Sequence, residues 1–134
     1  MIKKIICIML AVLCIPIASC TNDSIKEDKE EIMYENITPQ KAKELMESEK
    51  DYIILDTREE YEYDSGHIPG AILIPYTEIE ARAESEIFDK DKLILVYCRS
   101  GRRSKIASEA LVRLGYTNIK EFGGIIDWPY EIVK

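Results

Sequence analysis

Cys98 opens the run Cys98-Arg99-Ser100-Gly101-Arg102-Arg103-Ser104, in which one thiol shares a short loop with three guanidinium groups. A loop that joins a strand to a helix can curl so that successive backbone N–H groups point inward, and at a helix N-terminus such a curl holds an anion. Gly101 supplies the positive φ that the curl needs. A thiol at the centre of this field is favoured as its thiolate, the nucleophilic form. Ser100 and Gly101 are expected to contribute backbone N–H groups. Arg99, Arg102 and Arg103 are expected to bind an anionic substrate, and Ser104 to cap the following helix. The same cradle would stabilise the anion formed when Cys98 accepts a second sulfur from a donor such as thiosulfate. That product is a persulfide, which a thiol or cyanide acceptor would discharge. Two half-reactions through one covalent intermediate imply ping-pong kinetics.

The other chemically suggestive residues have plainer roles. His67, the single histidine, stands in Gly66-His67-Ile68-Pro69-Gly70 and reads as part of a turn. A thiolate already lacks the proton that a general base would remove, so His67 is assigned to structure. Asp56 and Arg58 read as a pair that positions neighbouring loops, and Glu62 and Asp64 as solvated surface. Trp128 and Tyr130 read as packing near the end of a small domain, and Tyr97 as core-facing or beside the active loop. No cluster has metal-ligand spacing and no glycine-rich nucleotide loop precedes a helix, so neither metal nor cofactor is expected.

The elements that must position the loop alternate in type. Thr38 and Pro39 start a helix in which Ala42, Leu45 and Met46 share a face. Tyr52 to Asp56 is a short apolar run, expected as a buried parallel strand. A polar helix from Arg58 to Asp64 follows, ended by Ser65-Gly66. Ala71 to Ile74 reads as a strand and Thr77 to Ile87 as a helix. Leu93 to Tyr97 is the strongest strand. Ser104 to Leu114 is the clearest helix, with Ile106, Ala107, Ala110, Leu111 and Leu114 inward and Gly115 as its left-handed cap. Ile119 to Phe122 makes a last strand. This alternation implies a mostly parallel sheet covered on both faces. Ligands of such sheets bind beyond the carboxyl ends of the strands, where Cys98 stands.

The 134-residue chain has room for one domain, and its net charge of -7 argues against a nucleic-acid surface. Lys3 and Lys4 precede an apolar stretch from Ile5 to Ala18, too short for a comfortable membrane span. Its end, Ile17-Ala18-Ser19-Cys20, resembles the lipobox of bacterial lipoproteins. That resemblance implies cleavage before Cys20 and lipidation of its sulfur, hence an exported protein anchored to the bacterial cell envelope. Residues 1–19 are then the signal peptide, 20–35 a charged tether rich in Asp, Glu and Lys, and 36–134 the folded domain. Cys7 and Cys14 would leave with the signal, which makes Cys98 the one free thiol of the mature chain.

The active loop is similar to the Cys-Arg-x-Gly-x-Arg loop of single-domain rhodaneses. Leu55-Asp56-Thr57-Arg58-Glu59, Gly66-His67-Ile68-Pro69-Gly70-Ala71 and Gly123-Gly124-Ile125-Ile126-Asp127-Trp128 resemble three further segments of that family, in its order. The resemblance implies an α/β, rhodanese-like fold, a five-stranded mostly parallel sheet with helices on both faces, and sulfur transfer through a Cys98 persulfide. A persulfide carrier or sensor, or a binding module with little turnover, is the alternative. Phosphatase or arsenate reductase chemistry is disfavoured. The phosphatase loop places its arginine six positions beyond the cysteine, where this chain has Ser104; the shorter loop makes a cradle sized for sulfur.

Overall fold

The computed structural model describes residues 33–134. The expected signal peptide, Cys20 and nearly all of the tether lie outside the described residues. In chain order the elements are β1 (Glu35–Asn36), α1 (Pro39–Ser48), β2 (Tyr52–Asp56), α2 (Glu60–Ser65), β3 (Ile72–Leu73), α3 (Ile79–Glu86), β4 (Leu93–Cys98), α4 (Arg102–Arg113) and β5 (Ile119–Gly124). Single 3₁₀ turns precede α3 (Tyr76–Glu78) and follow β5 (Ile125–Asp127). The strands form one sheet in the order β1-β5-β4-β2-β3, and every pairing is parallel.

Side chains along β4 alternate between two cores, as the strand period requires. Ile94 and Val96 join Leu55, Ile74, Ile79, Ala83, Ala107 and Leu111 beneath α3 and α4. Leu93, Leu95 and Tyr97 join Ala42, Ile54, Ile68, Phe122 and Trp128 on the face that α1 covers. Being covered on both sides, β4 is buried at all six positions. That is why it reads as a continuous apolar run.

Local chemistry sets several boundaries. The Thr38 hydroxyl accepts the Lys41 N–H and Pro39 occupies the first turn of α1. Glu59 and Glu62 close a capping box at the start of α2, so that helix begins two residues later than the pattern suggested. The expected strand at Ala71–Ile74 shrinks to Ile72–Leu73, and the helix expected from Thr77 starts only at Ile79. Helix α4 starts early, at Arg102, because Gly101 with φ +108 already turns the chain. Ser104 is therefore not the cap but a residue of the first turn. Ile106, expected inward, is 38% exposed beside the site. Strand β1 has no apolar signature and was not foreseen. It hangs on β5 through backbone pairing and a Lys120–Glu35 ion pair. Gly115, with φ +93, ends α4 as expected.

Candidate active site

Cys98 is the last residue of β4, in the middle of the sheet's carboxyl edge, and is 1% exposed. The Gly101 N–H donates to its Sγ at 3.0 Å. The curl is steep because the chain must reverse from β4 into α4 within three residues, Arg99 to Gly101. What it curls against is Gly124. A Cβ placed there would lie 1.9 Å from the Arg99 carbonyl oxygen and 2.5 Å from the Ser100 nitrogen. Only a glycine lets the loop lie so close to β5. The Ile126 N–H then donates to the same Arg99 carbonyl at 3.3 Å, fastening the loop to the turn after β5.

Strand β5 is specially shaped at this point. Val96 pairs with Glu121 but Cys98 pairs with Gly124, so three steps on β5 match two on β4. The extra residue is a bulge with Gly123 at φ +88, the kind of irregularity that re-aims a strand end. Glu121, only 2% exposed, accepts the Gly123 N–H at 2.8 Å and the Ser104 hydroxyl at 2.6 Å.

The three loop arginines separate by partner. Arg99 and Arg102 are exposed, and the Arg102 guanidinium lies 5.9 Å from the centre of the Tyr76 ring. Arg103 is half-buried and makes a two-pronged pair with Glu62 of α2, at 2.6 and 2.8 Å. Hydrogen bonds from Arg103 hold the Glu62 carboxyl down at about 2, against the opposing effect of burial. In return Glu62 raises the Arg103 guanidinium above its ordinary range, and the charge of Cys98 adds to that. Glu62 is thus not solvated surface. It is an anchor of the site, and the Glu59–Glu62 capping spacing was the available hint.

Asp56 and Arg58 form the structural pair expected of them. Arg58 grips Asp56 through Nε and Nη2 and donates to the Gly66 carbonyl at 2.7 Å. The Tyr97 hydroxyl donates to Asp56 at 2.7 Å and accepts the Ile68 N–H at 3.1 Å. Burial first, then Asp56, pushes that phenol well above its ordinary range, so it stays a neutral strut. His67 stacks on Tyr63 with ring centres 3.7 Å apart, and its backbone exchanges two 2.8 Å hydrogen bonds with Val133. It clips the C-terminal segment in place. Trp128 is buried against Phe122 and donates to the Glu131 carbonyl, while Tyr130 lies at the surface. Among the described residues, no group of three His, Cys, Asp or Glu could hold a metal.

The arrangement presents one reactive atom, a sulfur, to anions. The sulfur faces the Gly101 N–H at the head of α4, and the exposed Arg99 and Arg102 flank the same turn. Residues 38–129 match the rhodanese-like domain family. The thiosulfate sulfurtransferase PspE of Escherichia coli is 38% identical over 80 residues, 60% of this chain and 77% of that protein. A putative sulfur carrier protein of Bacillus subtilis, YrkF, is also 38% identical, over 64% of this chain but only 46% of its own length. Among solved structures, a rhodanese with anions from E. coli superposes with a TM-score of 0.59 at 36% identity, covering 62% of this chain and 98% of that one. A rhodanese-related protein from Thermoplasma volcanium gives 0.64 at 33% identity, covering 75% and 98%.

Proposed function

The chain belongs to the rhodanese-like domain family, and from that premise we propose that it transfers sulfane sulfur through a persulfide on Cys98. The observation that carries this reading is the Sγ itself, held at the end of β4 by the Gly101 N–H and facing the head of α4. In the first half-reaction the Cys98 thiolate attacks the outer sulfur of a donor such as thiosulfate. An S–S bond forms to Cys98, the donor's S–S bond breaks, and sulfite leaves with the electron pair. In the second, a thiolate or cyanide attacks the outer sulfur of the persulfide and Cys98 departs as thiolate. Sulfur changes hands with no outside oxidant or reductant. Arg99 and Arg102 meet the anionic donor at the entrance. Arg103 adds its field from behind, already paired with Glu62.

Mass spectrometry of the purified protein after thiosulfate is the test. One added sulfur should appear, cyanide should strip it, and Cys98→Ser should abolish both events. Absence of the adduct in the parent protein sinks the reading. A carrier or sensor would load in the same way and then release sulfur slowly, so the rate of the cyanide step separates it from an enzyme. Turnover of aryl phosphates should stay at background. We also propose export and envelope anchoring through lipid on Cys20, on the sequence argument alone.

A further inference from the structure

A carboxylate is buried beside the sulfur loop without being part of the transfer chemistry. Glu121 sits on β5 with its Oε1 taking two hydrogen bonds, from the Ser104 hydroxyl in the first turn of α4 and from the N–H of Gly123 in the bulge. The same oxygen lies 3.9 Å from where a Cβ of Gly101 would stand, and the Gly101 N–H is the donor to Cys98 Sγ. Carboxylate and sulfur therefore flank one glycine. The Ser104 hydroxyl also lies 3.0 Å from the Gly101 carbonyl, but a hydroxyl has one proton, and the shorter contact to Glu121 takes it. Side-chain length matters here: the oxygen must span from β5 to both the bulge and the helix.

We propose that Glu121 is a positioning residue for Cys98. It clasps the β5 bulge to the first turn of α4, so setting the angle at which Gly101 presents its N–H. This rests on Cys98 being the reactive sulfur.

The charged and titratable groups on the elements around Cys98 divide clearly. Arg99, Arg102 and Arg103 stand on its own loop and helix. Glu62 and Glu59 on α2 work through Arg103. Asp56, Arg58 and Tyr97 are locked to one another. Asp127 is exposed in the turn after β5. Glu121 is the buried carboxylate that directly adjoins the loop, and Tyr34 approaches it from the strand's other neighbour, its phenol raised by burial and then by Glu109 and Glu121.

Glu121→Gln keeps an oxygen able to accept both hydrogen bonds and removes the charge. Because the clasp survives, Glu121→Gln should load sulfur from thiosulfate within about twofold of the parent's rate. Glu121→Asp keeps the charge and shortens the reach. Loading with thiosulfate, and alkylation of Cys98 by iodoacetamide at one fixed pH, should both change by about tenfold as the clasp opens, the loading becoming slower. Thermal melts of both variants report folding. Loading by folded Glu121→Gln as slow as that by Glu121→Asp overturns the proposal. So does parent-like loading by Glu121→Asp, which decides the matter alone if Glu121→Gln does not fold. Alkylation needs no sulfur donor, so a parent protein that alkylates but never gains sulfur defeats the persulfide reading and leaves this one standing.

Discussion

Three arginines in five residues look interchangeable in the sequence, and their partners make them different. Arg102 is exposed at the entrance, so Arg102→Ala should raise the KM for thiosulfate several-fold and leave the melting temperature unchanged. Arg103 ties α4 to α2, and its loss strands Glu62 with a half-buried charge. Arg103→Ala should therefore destabilise the fold by about 2 kcal/mol, the order expected for breaking a largely desolvated pair that solvent still partly screens. The sign with pH follows from Glu62, whose carboxyl titrates lower in the folded chain, at about 2, than the ordinary 4.5. Its stabilisation is fully present above the ordinary value and is lost as pH falls from there toward 2. Glu62→Gln should flatten that part of the acid-unfolding curve, read by circular dichroism. Of this division the sequence carries only the Glu59–Glu62 capping spacing. Glu62 lies in a polar helix with no apolar stripe, and its partner Arg103 stands 41 residues further along the chain.

Between strand and helix, the decisive feature is the approach of the loop to Gly124. A methyl group added there meets backbone on all three nearest atoms, the Arg99 carbonyl oxygen and carbon and the Ser100 nitrogen, and backbone cannot rotate away as a side chain can. Gly124→Ala should push the loop off β5, costing about 2 kcal/mol or more of stability as overpacking does. Sulfur loading of Cys98 should fall far more than the melt alone explains. Normal loading by Gly124→Ala would contradict this account. The elements themselves were readable where burial imposes a period: the apolar run of β4 and the stripe of α4 carry their own signal. They were unreadable where position depends on neighbours. β1 is two polar residues recruited by the edge of β5, and Ile106 follows the helical stripe yet stands in the open because no element covers that part of α4. Glu121 carried a signal that went unused, since a charge in the middle of a buried strand demands a partner.

For the whole molecule, the alternation of strands and helices was enough to give the parallel sheet, and the place of Cys98 directly after the strongest strand put it at the carboxyl edge. If Cys20 carries lipid, Cys20→Ala should move the protein from the membrane pellet to the soluble fraction and end incorporation of labelled palmitate, both read on an immunoblot and by autoradiography. The depth of Cys98 has a consequence for encounters between two copies. A disulfide is about 2.05 Å long, and a sulfur that is 1% exposed cannot come that near to its twin without two domains interpenetrating. Two folded copies are thus barred from joining through Cys98, which leaves its sulfur to smaller reaction partners.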